Sequence, residues 1–162
     1  MPSATVRRAM TAGALTAVLT LSLSAQASAD AGDEDIVRMK FTGYTTVDTA
    51  PKHMEPGAGW VTYQDLYSEN KKSKGKKFLG DASARCVAVH ADEHRLTTQC
   101  TRVLRLKGGE ITLHDMVTRV DDKPITAKTA IAGGTGLYND AEGEGYITQE
   151  GDRVHYDLYI DD

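Results

Sequence analysis

Between Ile131 and Tyr146 the chain reads Ile-Ala-Gly-Gly-Thr-Gly-Leu-Tyr-Asn-Asp-Ala-Glu-Gly-Glu-Gly-Tyr. Five glycines in thirteen residues (Gly133, Gly134, Gly136, Gly143, Gly145) rule out a helix interior or an ordinary strand. Each glycine loses backbone entropy on ordering, and each admits a positive φ or a close backbone approach. The stretch is therefore expected to form a fixed corner between two strands, with a short helical turn at Leu137–Glu142. Phosphate-binding readings fail on pattern: Gly-x-x-x-x-Gly-Lys-Ser/Thr is absent, and no βαβ unit surrounds the glycines as a dinucleotide fingerprint requires. An anion-binding nest of amides remains the functional alternative to a structural corner.

The rest of the chain supplies short strands for that corner to join. Ile36 to Val47 alternates, with Val37, Met39 and Phe41 on one face and Arg38, Lys40 and Thr42 on the other. Thr49 to Gly59 holds Pro51 and Pro56 and forms a loop over one end of the sheet. Trp60 to Tyr67, Phe78 to His90, Arg95 to Leu106, Glu110 to Val120, Ile125 to Ala132, Gly145 to Gln149 and Arg153 to Ile160 read as strands two to eight. Gly108-Gly109 is a two-residue hairpin signal, and Gly151-Asp152 is another tight turn. No long helical periodicity interrupts them. Eight antiparallel strands at regular spacing predict an all-β fold, a closed eight-stranded β-barrel with short or no helices, because closure removes edge strands. Such a barrel encloses space for packed side chains or one small ligand.

Residues 1–29 are expected to be a secretory signal peptide: Arg7-Arg8, an apolar run from Ala9 to Ala25, and Ala27-Ser28-Ala29 at the cleavage site. General and twin-arginine export both remain open. Residues 30–162 then form a single domain of about 133 residues, expected to be secreted and soluble. Loss of Arg7 and Arg8 takes the net charge from −4 to −6, which argues against nucleic acid or an anionic membrane as partner. Ser68 to Lys77 carries five lysines, but without interleaved aromatics it reads as a solvated hairpin tip.

Two cysteines in an exported chain predict one disulfide. With Asp92-Glu93-His94 as the hairpin tip, Ala91 faces Arg95, and counting back sets Cys86 opposite Cys100, close enough to bridge. A redox or metal pair would need a Cys-x-x-Cys spacing or a histidine partner, and neither is present.

Asp65-Leu66-Tyr67, a Lys/Gly loop, Leu79-Gly80, Cys86-Val87, Leu106-x-Gly-Gly-x-Ile-Thr and Ala132-Gly-Gly-Thr-Gly-x-Tyr occur in that order. This set resembles the allene oxide cyclase-like barrels, which share a superfamily with plant dirigent proteins. The resemblance runs from about Ile36 onward and is closest to secreted bacterial members, where a strand-3 Cys accompanies a Cys-Thr opening strand 4, as Cys100-Thr101 does here. It implies an eight-stranded barrel, often a homotrimer, with an apolar lumen and no cofactor. It also implies that a small apolar metabolite is steered through ring closure or coupling by confinement and water exclusion. The strand-1 glutamate and asparagine of the plant cyclases have no counterpart, since strand 1 offers Arg38, Met39 and Lys40. The asparagine that precedes Leu-Tyr in those enzymes aligns near Gln64 or Asp65. The resemblance therefore carries the fold and not the plant activity.

Counting from a Gly108-Gly109 turn pairs Lys107 with Glu110, Leu104 with Leu113, Arg102 with Asp115 and Cys100 with Val117. The disulfide, Leu104, Leu113, Val117 and the Arg102–Asp115 pair then share the more apolar face, expected to be the lumen. An ion pair on that face is the candidate catalytic pair: Arg102 to polarise a carbonyl or carboxylate, Asp115 to orient it or act as base. The alternative is a plain salt bridge at the rim or outer surface. Tyr63, Asp65 and Tyr67 share one face of strand 2 and are the further ligand-binding candidates, with packing as the alternative. The five histidines are dispersed without metal spacing, and no Gly-x-Ser-x-Gly elbow exists. Two functions follow as expectations: a cofactor-free isomerase or cyclase, or a lipocalin-like binding barrel without turnover, with a purely structural barrel as a third.

Overall fold

The computed structural model describes residues 36–68, 75–121 and 123–161. The expected signal peptide and most of the lysine-rich tip lie outside the described residues. Eight strands follow in chain order: β1 (Ile36–Asp48), β2 (Gly59–Ser68), β3 (Phe78–Ala91), β4 (Arg95–Leu106), β5 (Gly109–Val120), β6 (Ile125–Gly134), β7 (Glu142–Glu150) and β8 (Arg153–Asp161). Each pairs with the next, and β8 pairs back on β1 from Ile36↔Asp161 to Tyr44↔Arg153, which closes an all-antiparallel barrel. The helical turn is shorter than the sequence suggests. It is a single 3-10 turn at Gly136–Tyr138, and Glu142 already opens β7, paired with Asp161.

Alternation places one residue in two inside the barrel, and the two ends are filled differently. Phe41, Leu66, Leu104, Ile111, Leu158 and Ile160 are fully buried toward the end where β4 turns into β5. Transfer of such side chains from water contributes about 2 kcal/mol each, so this end anchors the fold. Toward the other end the inward residues are smaller or polar, with Ala84 and the two cysteines packed against Trp60.

The glycine corner seals the packed end. The Thr135 amide donates to the Glu110 carbonyl (2.9 Å) and the Leu137 amide to the Gly108 carbonyl (2.8 Å). A side chain at Gly134 would overlap the carbonyls of Tyr138 and Glu110, and one at Gly109 would overlap that of Thr135. The Thr135 and Leu137 amides are thus bonded to backbone and are not donors for an anion.

That crowding also corrects the hairpin register. The turn is Lys107-Gly108, with Leu106 opposite Gly109, so Leu104 faces Ile111, Arg102 faces Leu113 and Cys100 faces Asp115. The slip is two residues, so every side chain keeps its expected face. The β3–β4 register differs at its tip, where Ala91 faces Leu96, but an irregularity between Ala88 and His90 restores Cys86 opposite Cys100. The two cysteines are bridged, as expected.

Candidate functional site

At the loosely filled end, the start of β2 brings Trp60, Thr62 and Gln64 to face Thr98, Cys100 and Arg102 from the start of β4. Between them lies a cavity of about 120 Å³, completed by Val117 of β5 and Val154 of β8. The β1–β2 loop adds Met54, the one half-buried side chain between Pro51 and Gly57. The loop is pinned at its ends: the Thr49 amide donates to the Val61 carbonyl (3.1 Å) and the Gly57 amide to the Ala88 carbonyl (2.7 Å). Asp48, Arg119 and Gly151 stand exposed at the mouth.

Arg102 forms the charged part of the floor. Its Nε and Nη2 donate to the two Asp115 carboxylate oxygens at 2.6 and 3.2 Å, and the side chains are only 3% and 0% exposed. The pair is diagonal, because the backbone partners are Leu113 and Cys100. Burial works against the guanidinium charge, yet the neighbouring Tyr156 and Asp115 outweigh it and keep the group protonated. Beside it, Tyr156 donates from its hydroxyl to Gln64 Oε1 (2.7 Å), and Gln64 Nε2 donates to Thr45 Oγ1 (3.3 Å). Burial raises the Tyr156 phenol above its ordinary range, with Arg102 pulling the other way, so it acts as a neutral donor. Among the described residues no buried side-chain nitrogen or oxygen lacks a partner.

The expected site residues therefore separate. Arg102, Val117 and both cysteines line the cavity. Asp115 sits behind Arg102 and has no face on the cavity. Leu104 and Leu113 belong to the packed end. Tyr63, Asp65 and Tyr67 lie on the outer surface, because Gln64 and Leu66 are the inward residues of β2. Tyr67 stacks edge-on with Tyr44 and with Phe78 (5.7 Å each), an outer cluster capped by Lys76 over the Tyr44 ring. Sequence reasoning missed Trp60, Met54 and Tyr156, and met Gln64 only as one of two positions near the plant cyclases' asparagine. The available signal was the other β2 face, where Trp60 and Leu66 are the bulkiest apolar pair. No group of three or more His, Cys, Asp or Glu among the described residues is placed to hold a metal ion.

No protein-family model matches the chain, and no curated protein sequence matches it. Solved structures do share the barrel. A pyocyanin demethylase superposes with TM-score 0.60 at 21% identity, over 76% of this chain and 99% of its own. AbnU, an exo-specific intermolecular Diels-Alderase, superposes with TM-score 0.56 at 15% identity, over 76% and 98%. The pterocarpan synthase dirigent protein GePTS1 superposes with TM-score 0.52 at 16% identity, over 77% and 83%. At these identities the likeness is one of fold. The barrel is shared with a dirigent protein as with the other two, and nothing in the likeness singles out the allene oxide cyclases. A disulfide, and the lack of any described helix able to cross a membrane, are compatible with a secreted protein.

Proposed function

We propose that this barrel is a secreted, allene oxide cyclase/dirigent-like protein that holds a small, mainly apolar metabolite and steers its ring closure or stereochemical course without a cofactor. The observation that carries the reading is Arg102: a buried guanidinium presented at the floor of a cavity walled by Trp60, Met54, Val117, Val154 and the disulfide together with Thr62, Gln64 and Thr98. Walls that mix apolar side chains with threonines and amides around one buried charge suit binding and orientation of an organic ligand. Confinement alone supplies rate when the reaction is a rearrangement, because the entropy of the reactive conformation is lost on binding. The fold neighbours include a Diels-Alderase and a dirigent protein, which is in keeping with this role.

A carrier without turnover is the second reading. It is favoured by the placement of Asp115, whose carboxylate is shielded behind Arg102, so the floor holds no general base. Native mass spectrometry of the protein recovered from its own culture medium tests both. A bound small molecule is expected with the wild type and lost in the double variant Arg102→Met/Asp115→Leu. Recovery of a rearranged product after incubation with the precursor marks an enzyme, recovery unchanged a carrier, and no bound molecule overturns both.

A further inference from the structure

The floor of the cavity selects its ligand by charge as well as by shape. Asp115 accepts from Nε and Nη2 of Arg102, Tyr156 lies beside the same guanidinium, and Arg102 still borders the cavity. Gln64 Oε1 is already taken by the Tyr156 hydroxyl. The charged group on the floor thus offers donors, and the entering ligand must present an acceptor.

Arg102 and Asp115 together carry no net charge, and both are shielded from solvent. A carboxylate placed on Arg102 would compete with Asp115 and leave an excess negative charge at the buried floor, since Arg119 stands at the exposed mouth, and that is unfavourable. A neutral carbonyl oxygen accepts a charge-assisted hydrogen bond without that penalty. The walls set the remainder of the ligand: Trp60 offers a flat aromatic face and Val117, Val154 and Met54 apolar contact, while Thr62, Gln64 and Thr98 leave room for further weak polar contacts. The volume, about 120 Å³, is near that of a cavity that takes one benzene ring, about 150 Å³.

Resting on the reading of this cavity as a ligand site, we infer that the ligand is an uncharged, ring-bearing carbonyl compound, inserted oxygen first onto Arg102, and that carboxylates are excluded. In this orientation the guanidinium withdraws electron density from the carbonyl and from any double bond conjugated with it. That activates a conjugated ring system for closure without proton transfer by the protein.

Trp60 is the only tryptophan in the chain and stands in the cavity wall, so its indole N–H resonance in ¹⁵N-labelled protein reports occupancy. Acetophenone, ethylbenzene and benzoate are titrated as probes of one ring with a neutral acceptor, no acceptor and an anion. Acetophenone is expected to bind about tenfold more tightly than either of the others, the worth of one hydrogen bond to a charged group. In Arg102→Met/Asp115→Leu, which removes both charges together, ethylbenzene should still bind and the ketone preference should fall to within about twofold. Benzoate binding tightest, or ethylbenzene matching acetophenone in the wild type, overturns the ligand class while the cavity stands as a binding site. Silence from all three probes overturns the binding site itself.

Discussion

Arg102 and Asp115 are joined across β4 and β5 one row out of register, the guanidinium of one strand reaching a carboxylate whose own backbone faces Cys100. Both groups are buried, so removing one leaves the other charged and alone. Arg102→Met is expected to destabilise by about 3–5 kcal/mol, whereas Arg102→Met/Asp115→Leu should return to within about 1 kcal/mol of wild type or exceed it. Urea unfolding of the two variants checks this. Equal losses in both would show that packing, and not charge pairing, holds this part of the wall.

The disulfide closes a short loop between two strands already paired by the ladder. Replacing Cys86 and Cys100 together by alanine should cost about 3 kcal/mol by releasing the unfolded chain, and lower Tm by roughly 10 °C. Calorimetry with and without reductant makes the measurement. The wild type in reductant should approach the variant.

Gly133 and Gly134 are neighbours with different duties. Gly133 has a positive φ of 118° and open space around a new Cβ, while one at Gly134 would overlap two carbonyls. Gly133→Ala is expected to cost about 1–3 kcal/mol of backbone strain. Gly134→Ala should cost more, enough to lose the folded barrel or displace the Lys107-Gly108 turn. Amide exchange at Leu137, which bonds the Gly108 carbonyl, would report that displacement.

The Asp157 carboxyl is held at about 2, well below its ordinary 3.8, chiefly by its hydrogen bond to Arg38 and also by Lys40. A depressed carboxylate contributes stability above its unfolded value and loses it as the pH falls. The contribution is therefore intact above about pH 4 and lost toward pH 2. Arg38 is half exposed, so Asp157→Asn should cost under about 1 kcal/mol near neutrality. Denaturant midpoints across that acid window should fall less steeply in the variant than in the wild type.

Met54 hangs into the cavity from a loop fixed at both ends. Met54→Ala should leave stability within about 1 kcal/mol and enlarge the ligand range. A two-ring ketone is expected to gain about tenfold over acetophenone, the scale set by a few methylenes in a pocket. Unchanged selectivity would place the size limit elsewhere in the wall.

Much of the barrel was legible because alternation and turn residues are local. The strands fall within a few residues of their expected bounds, and Cys86 meets Cys100. What escaped was decided by distant contacts. Gly109 looks like the second half of a turn, but its missing side chain serves the Thr135 backbone, which moves the hairpin by two. Both faces of β2 carry aromatics: Leu66 is buried on the face of Trp60 and Gln64, while Tyr67 joins Tyr44 and Phe78 outside, so Tyr63 and Asp65 turn outward. The diagonal Arg102–Asp115 contact survived a wrong register because a two-residue slip preserves faces and long side chains span the difference.

The glycine corner gives the barrel a base as distinct from a mouth. Leu137, 73% exposed on that base, is a place where a tether, a fusion or a surface could be attached. A molecule held there would stand with its cavity facing away from the support and its rim loops unencumbered. Stiffness at one end is what leaves the other free to vary.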